Sequence, residues 1–172
     1  MAYAFVPEDG TGLPNASSYV TADEADDYYA ADANFATTWA ALSDDRKEQF
    51  MIWATRILDQ KSTWRGQATS TTQALAWPRS WVRDREGNLI DDDEIPEPVK
   101  AATLELVKFL QSNDPTTGPD TSSLKSIKVD VIEIAYQAKA VETVYPSIIN
   151  QILDPIGVMR VGGTSFGRIV KA

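Results

Sequence analysis

Aromatic and basic side chains alternate between residues 64 and 85 in a pattern that could bind single-stranded nucleic acid. Tryptophan rings stack on unpaired bases, and neighbouring arginines neutralise the phosphates. An alternative interpretation needs no ligand: Trp77 and Trp81 cap a helical core, and Arg79 pairs with an acidic cluster. The full set is Trp64, Trp77, Trp81, Arg65, Arg79, Arg83 and Arg85.

Two clusters of acidic residues are candidates for cation binding. An EF-hand loop spaces its oxygen ligands around a central glycine, whereas four consecutive acids point in different directions. Acids near the start of a helix are also favoured by the helix dipole alone. We therefore predict no metal site and a solvated face for the first cluster. The clusters are Asp23, Glu24, Asp26 and Asp27, and the run Asp91–Glu94.

The absence of two residue types narrows the chemistry further. The 172-residue chain has no cysteine and no histidine. This excludes disulfides, thiolate and imidazole zinc sites, and Ser/His or Cys/His catalytic pairs. The glycines at 10 and 12 lack the strand, helix and lysine of a phosphate-binding loop. We predict that the protein is not an enzyme and binds no cofactor.

The net charge of the chain bears on whether it binds nucleic acid. Sixteen basic against 25 acidic residues give a net charge of −9. Sequence-independent DNA affinity comes from phosphate neutralisation by Lys and Arg, so this balance argues against tight DNA binding. No acid follows Asp154, and Arg160, Arg168 and Lys171 leave the last eighteen residues at +3 on a body of −12.

Length and apolar content indicate one domain. With 43% apolar residues the chain can bury a hydrophobic core without disulfides or structural metals. It shows no export leader and no apolar run near about 18 residues, so we expect a cytoplasmic protein that does not span a membrane.

Four segments carry helical signatures. Thr21 and Glu24 fit a capping box, and Ser43 precedes a long segment with apolar residues every three or four positions. The predicted helices lie at about residues 22–33, 44–62, 97–112 and between Pro146 and Pro155.

The octapeptide QALAWPRS at residues 73–80 cannot lie inside a helix. Pro78 has no backbone N–H, and it pushes Trp77 out of helical geometry. We interpret the octapeptide as an ordered structural loop, in which Pro78 fixes the path, Leu75 and Trp77 anchor it to the helices, and Arg79 braces it.

The strongest strand signal lies at residues 126–136, where the apolar alternation changes phase near Asp130. A β-hairpin or one bulged strand explains the change. The predicted fold is mainly α: a small helical bundle with one β-hairpin or bulged strand pair at about 125–137. Extended N- and C-terminal arms, 1–18 and 156–172, flank a helical domain at 19–155.

The C-terminal arm is apolar and free of acids. Its four glycines make an ordered conformation costly, so a disordered end is one alternative. Apolar residues at strand-like spacing favour a segment that docks on a partner. The candidate partner-binding residues are Ile156, Val158, Met159, Arg160, Val161, Phe166, Arg168, Ile169 and Val170.

Several stretches resemble one known family in the same order along the chain. They are the run from Glu8 to Tyr28, WAALS at 39–43, WRG at 64–66, QALAWPRS, IPEPVK at 95–100 and Tyr145-Pro146. Together they are similar to the tailed-phage head-tail adaptor family, also called head-completion or connector proteins, over about residues 8–154. Members often carry the label DnaT-like single-stranded-DNA-binding protein.

The resemblance implies a virion protein. A ring of about twelve helical protomers would lie below the portal protein, extend the DNA channel and dock tail, tail-terminator or nozzle proteins. Genomic DNA would pass through without tight binding, after assembly in the host cytoplasm. The family has no catalytic residues to carry over. The alternative is single-stranded-DNA binding in replication through Trp64, Trp77 and Trp81, which the net charge disfavours.

Overall fold

A computed structural model describes residues 4–115, 128–129, 132–133 and 145–160. Within these ranges the protein is mainly α, as predicted. The helices are α1 (Ala22–Ala30), α2 (Ala36–Ala40), α3 (Asp44–Lys61), α4 (Glu97–Ser112) and α5 (Ser147–Leu153). The strands are β1 (Ser62–Trp64), β2 (Gln67–Ala68), β3 (Arg79–Ser80), β4 (Lys128–Val129), β5 (Ile132–Glu133) and β6 (Gly157–Met159).

The predicted capping box starts α1. The Thr21 hydroxyl accepts from the Glu24 N–H at 3.2 Å, and the Glu24 carboxylate accepts from the Thr21 N–H at 2.8 Å. The helix ends at Ala30, three residues earlier than predicted. The cause is Asp32, whose carboxylate accepts from the N–H groups of Asn34 and Phe35 and so forms a turn.

Helices α3 and α4 form the centre of the core. They pack against each other, and α4 also packs against α5. Their apolar faces follow the helical period read from the sequence. The core residues of these helices include Phe50, Met51, Ala54, Ile57 and Leu58 on α3, and Val99, Ala102, Leu106, Val107 and Leu110 on α4.

Helix α2 was not predicted, because five residues show no clear period. It buries Trp39, whose ring lies 4.5 Å from that of Tyr29 on α1. The Trp39 indole N–H donates to Asp26 at 2.7 Å, and the Lys47 ammonium donates to the same carboxylate oxygen at 2.8 Å. Part of the first acidic cluster therefore ties α1 to α2 and α3.

The described strands form three two-stranded antiparallel sheets. Pairing of Lys128 with Glu133 and of Val129 with Ile132 forms the predicted hairpin. Strand β1 pairs with β6 at the far end of the chain, which the sequence did not indicate. The two strands are short and lie far apart in the sequence, so no local pattern predicts that they pair.

The residues before α1 pack on the domain instead of extending as an arm. Glu8 is 6% exposed, and its carboxylate accepts from the N–H groups of Gly12 at 2.8 Å and Leu13 at 2.9 Å. The Ala74 N–H donates to the Leu13 carbonyl at 3.0 Å. The expected boundary at residue 18 therefore separates no arm from the described fold.

The expected C-terminal boundary also needs correction. Ile156 and Met159 are each 1% exposed, and β6 pairs with β1 in an antiparallel sheet. These two side chains were assigned to partner binding, but they are buried in the chain's own core because β6 adds to β1. The fold extends at least to Arg160, whose N–H donates to the Lys61 carbonyl at 2.8 Å.

Candidate functional site

The QALAWPRS loop is held by two polar side chains, the buried Tyr19 and the half-buried Asp59. The Tyr19 hydroxyl donates to one oxygen of Asp59 at 2.5 Å, and the Ala76 N–H donates to the other at 2.9 Å. The Trp77 N–H donates to the Tyr19 oxygen at 3.2 Å. Because buried backbone donors need partners, these bonds fix the middle of the loop on α3.

Burial sets the protonation of this pair. It raises the pKa of Asp59 above 3.8, and the bonds from Tyr19 and Ala76 oppose the rise. Burial, together with the nearby Asp59 charge, holds the pKa of Tyr19 well above 10.0. Tyr19 therefore keeps its proton and remains the donor to Asp59.

The loop residues lie where a structural role requires them. Trp77 is fully buried and meets the ring of Trp64 edge-on at 5.8 Å, and Pro78 is buried beside it. The Trp77-Pro78 peptide is cis. Leu75 is half-buried and packs against the core. Leu75 and Trp77 thus both contact the core, and their role as anchors of the loop stays a prediction.

Arg79 braces the loop through backbone carbonyls. Its guanidinium donates to the carbonyls of Arg65 at 2.7 Å, Ala76 at 3.0 Å and Gly66 at 2.9 Å. The suggested pairing with an acidic cluster is replaced by these three bonds. They join the loop to the WRG turn, so two of the sequence stretches quoted above form one unit.

The described structure does not assemble the tryptophan and arginine set into a stacking platform. Trp77 is buried and Trp64 half-buried, while Trp81 is 78% exposed, so Trp81 does not cap the core as suggested. Arg83 donates to the Gly87 carbonyl at 2.6 Å. Arg85 donates to carbonyls at the end of α5.

The remaining candidate partner-binding residues are divided by the structure. Val158 is 52% exposed on β6, and Arg160 is exposed. Both are accessible to a partner, in contrast to Ile156 and Met159. The other candidates, Val161, Phe166, Arg168, Ile169 and Val170, lie outside the described residues.

A groove beside α5 is a feature that the sequence did not reveal. It has a volume of about 640 Å³ and lies between the start of α4, the turn at 84–90 and α5. Ile148 lines it and is 41% exposed. The related sequence signal is the run of apolar residues in α5, of which Ile149 and Leu153 are buried while Ile148 stays exposed.

Neither acidic cluster gathers into a metal site in the part of the chain that the structure describes. No group of three or more acidic side chains there is arranged to hold an ion. Glu24 instead bonds to Lys100 at 2.6 Å, and Asp92 accepts from the Ser80 hydroxyl at 2.8 Å. The described helices include none that is long and apolar enough to cross a membrane.

The fold and loop define a small, mainly helical domain in which polar contacts of the QALAWPRS loop join α3, the WRG turn and the segment before α1. A family model described as "Putative DnaT-like ssDNA binding protein" matches residues 3–172. The chain belongs to this family. No curated protein and no solved structure matches the chain.

Proposed function

We propose that this protein is a structural adaptor of a tailed-phage head-tail connector. Protomers would form a ring below the portal, extend the DNA channel and dock tail components. The observation that carries the proposal is the use of the QALAWPRS tryptophan and arginine inside the fold. Trp77 is fully buried, and Arg79 bonds to three carbonyls, which supports a structural role for the motif.

The surface charge supports the same proposal. Lys47, Lys100 and Lys108 each bond to a carboxylate, so these three cations are engaged within the protein. A net charge of −9 per copy would place on the order of a hundred negative charges around the channel of a ring of about twelve. Such a channel repels passing DNA, as a conduit requires.

The proposed partners follow from this role. They are the portal protein, tail, tail-terminator or nozzle proteins, and neighbouring protomers. The protein would reside in the virion connector and pass through the host cytoplasm during assembly. Val158 and Arg160 are the described candidates for a partner contact, because both are accessible beside the end of the fold.

The experiment is negative-stain imaging of the full-length chain mixed with the portal protein encoded beside it. Portal alone and chain alone are the controls. Ring-shaped added density at the narrow end of the portal is expected. Bare portals at high protein concentration contradict the adaptor role.

A second candidate function is binding of single-stranded DNA. The family description favours it, and the exposed Trp81 ring is the one described member of the tryptophan set with a face open to a base. Anisotropy of a labelled oligonucleotide at low salt tests it, with Trp81→Ala as the matched variant. Saturable binding that falls steeply with salt and is lost in Trp81→Ala would favour this function over the adaptor.

A further inference from the structure

The groove beside α5 has an apolar lining that solvent reaches. Ile90, Ile148 and Ile152 line it with at least partly exposed side chains, and the buried Pro96 and Ile156 border it. Ile148 is 41% exposed, although other apolar residues of the same short helix, Ile149 and Leu153, are buried in the core. Concave apolar surfaces with charged surroundings are typical docking sites.

The charged residues of the groove are mostly acidic. Five carboxylates and one cation line it, which gives a net charge of −4. The cation, Arg85, donates to the carbonyls of Gln151 at 2.7 Å and Asp154 at 3.0 Å, so its hydrogen bonds are directed at the protein. The carboxylates belong to Asp84, Glu86, Glu94, Glu97 and Asp154.

The end of the chain has the complementary composition. Residues 161–172 read VGGTSFGRIVKA, with four large apolar side chains, Arg168 and Lys171, and no acidic side chain. Apolar side chains suit the lining, and cations suit its carboxylates. We propose that the groove binds residues 161–172 of a neighbouring copy of this chain.

The course of the chain favours a neighbour as the donor. Ile156 lines the groove, but β6 then runs along β1, and Arg160 reaches the end of α3. At about 3.3 Å per residue, Arg160 lies roughly 13 Å along the strand from Ile156. The chain therefore leaves its own groove before the basic segment begins.

This contact would join two different surfaces. The groove of one copy meets the end of the next, so the contact is head-to-tail, and such contacts close into rings when the rotation allows. The inference deepens the proposed function and rests on it for the ring, since it names the contact between neighbouring protomers. The contact itself is measurable without the portal.

Introduced cysteines test the contact in the full-length chain, which has none of its own. Gln151→Cys labels the groove, and Ser165→Cys labels the terminal segment of a second preparation with a distinguishable mass. Mixed under mild oxidation, the two should form a mixed disulfide about tenfold faster than a Thr38→Cys and Ser165→Cys control pair. Thr38 is exposed on α2, outside the groove.

Charge exchange provides a second measurement. Glu86→Lys with Glu94→Lys should weaken self-association in sedimentation velocity by about tenfold, as should Arg168→Glu with Lys171→Glu. Mixing the two variants should restore association between them. Ile148→Lys should also weaken it, whereas Leu89→Lys, an exposed apolar residue outside the groove, should not.

The outcomes separate this inference from the adaptor role. Mixed disulfides no faster than the control, or a double-cysteine chain that closes only on itself, overturn the inference. So does a charge exchange that restores nothing. Rings on the portal without the cross-link leave the adaptor standing and remove the inference. The cross-link together with bare portals would support the contact between copies and contradict the adaptor role.

Discussion

The Tyr19 hydroxyl and the Asp59 carboxylate meet at 2.5 Å, although 40 positions separate them along the chain. Tyr19 lies just before α1 and Asp59 in the last turns of α3. Between them they bond the N–H groups of Ala76 and Trp77. This one pair thus joins the N-terminal segment, the longest helix and the QALAWPRS loop.

Tyr19→Phe should destabilise the protein. The change removes two bonds at once, the donor to the half-buried Asp59 carboxylate and the acceptor for the buried Trp77 N–H. Leaving buried polar groups unpaired costs roughly 1–3 kcal/mol each, so we expect a loss of about 2 kcal/mol or more in urea unfolding. Tyr28→Phe is the matched control, since its hydroxyl bonds the half-buried Glu105. Equal losses in the two variants would contradict the prediction.

Trp77→Ala should lower stability far more than Trp81→Ala. Trp77 is fully buried against Trp64, whereas Trp81 is 78% exposed. Truncating a buried tryptophan typically costs about 3–5 kcal/mol. The thermal midpoint of Trp77→Ala should fall clearly, and that of Trp81→Ala should stay near the native value. An unchanged midpoint for Trp77→Ala would show that the loop is not an anchor.

Asp59 should contribute an unusual pH dependence. Burial raises its pKa in the folded state above 3.8, the value taken for an exposed Asp. Its contribution to stability is therefore fully present below that value and is lost as pH rises through the folded pKa. The Asp59→Asn variant does not titrate at this position. The advantage of the native protein over Asp59→Asn should grow from pH 7 to pH 4.

Urea unfolding of both proteins at several pH values measures that difference. Contributions of the other carboxylates cancel, because both proteins share them. A stability advantage that shrinks as pH falls would show that the Asp59 pKa is lowered on folding instead.

Gly66→Ala should be more harmful than Gly87→Ala. Both glycines have positive φ, 69° and 90°, so an alanine is strained at either position. At Gly66 an added Cβ would also lie 2.3 Å from the Ser80 carbonyl oxygen, whereas at Gly87 it meets nothing within 4 Å. We expect about 1 kcal/mol of loss for Gly87→Ala and clearly more for Gly66→Ala in chemical denaturation. Equal losses would mean that the β2–β3 contact yields freely.

The predicted helices were close to the observed ones because their signals are local. The capping box at Thr21 and the apolar period of α3 each act within a few residues. Helix α4 spans the predicted residues 97–112 without change. The two arms were less successful, because composition alone does not tell whether a turn-rich or apolar segment packs on its own domain.

The candidate site shows the same division. The sequence marked QALAWPRS as an ordered loop and identified Leu75, Trp77, Pro78 and Arg79 as its structural residues. It did not indicate that Asp59, one of several charged residues on the amphipathic helix α3, would bond to Tyr19 and to the loop. A carboxylate is expected on the surface unless the tertiary structure places hydrogen-bond donors beside it.

The helical class, the long helices, the lack of thiol and imidazole groups and the acidic charge with a basic end could all be read from the amino-acid sequence. Those properties depend on residue type and on neighbours within a few positions. The tertiary structure alone decided the Tyr19–Asp59 pair, the β1–β6 pairing and the groove beside α5. Each of them joins segments far apart in the chain, and partners at that distance are chosen by packing of the whole core.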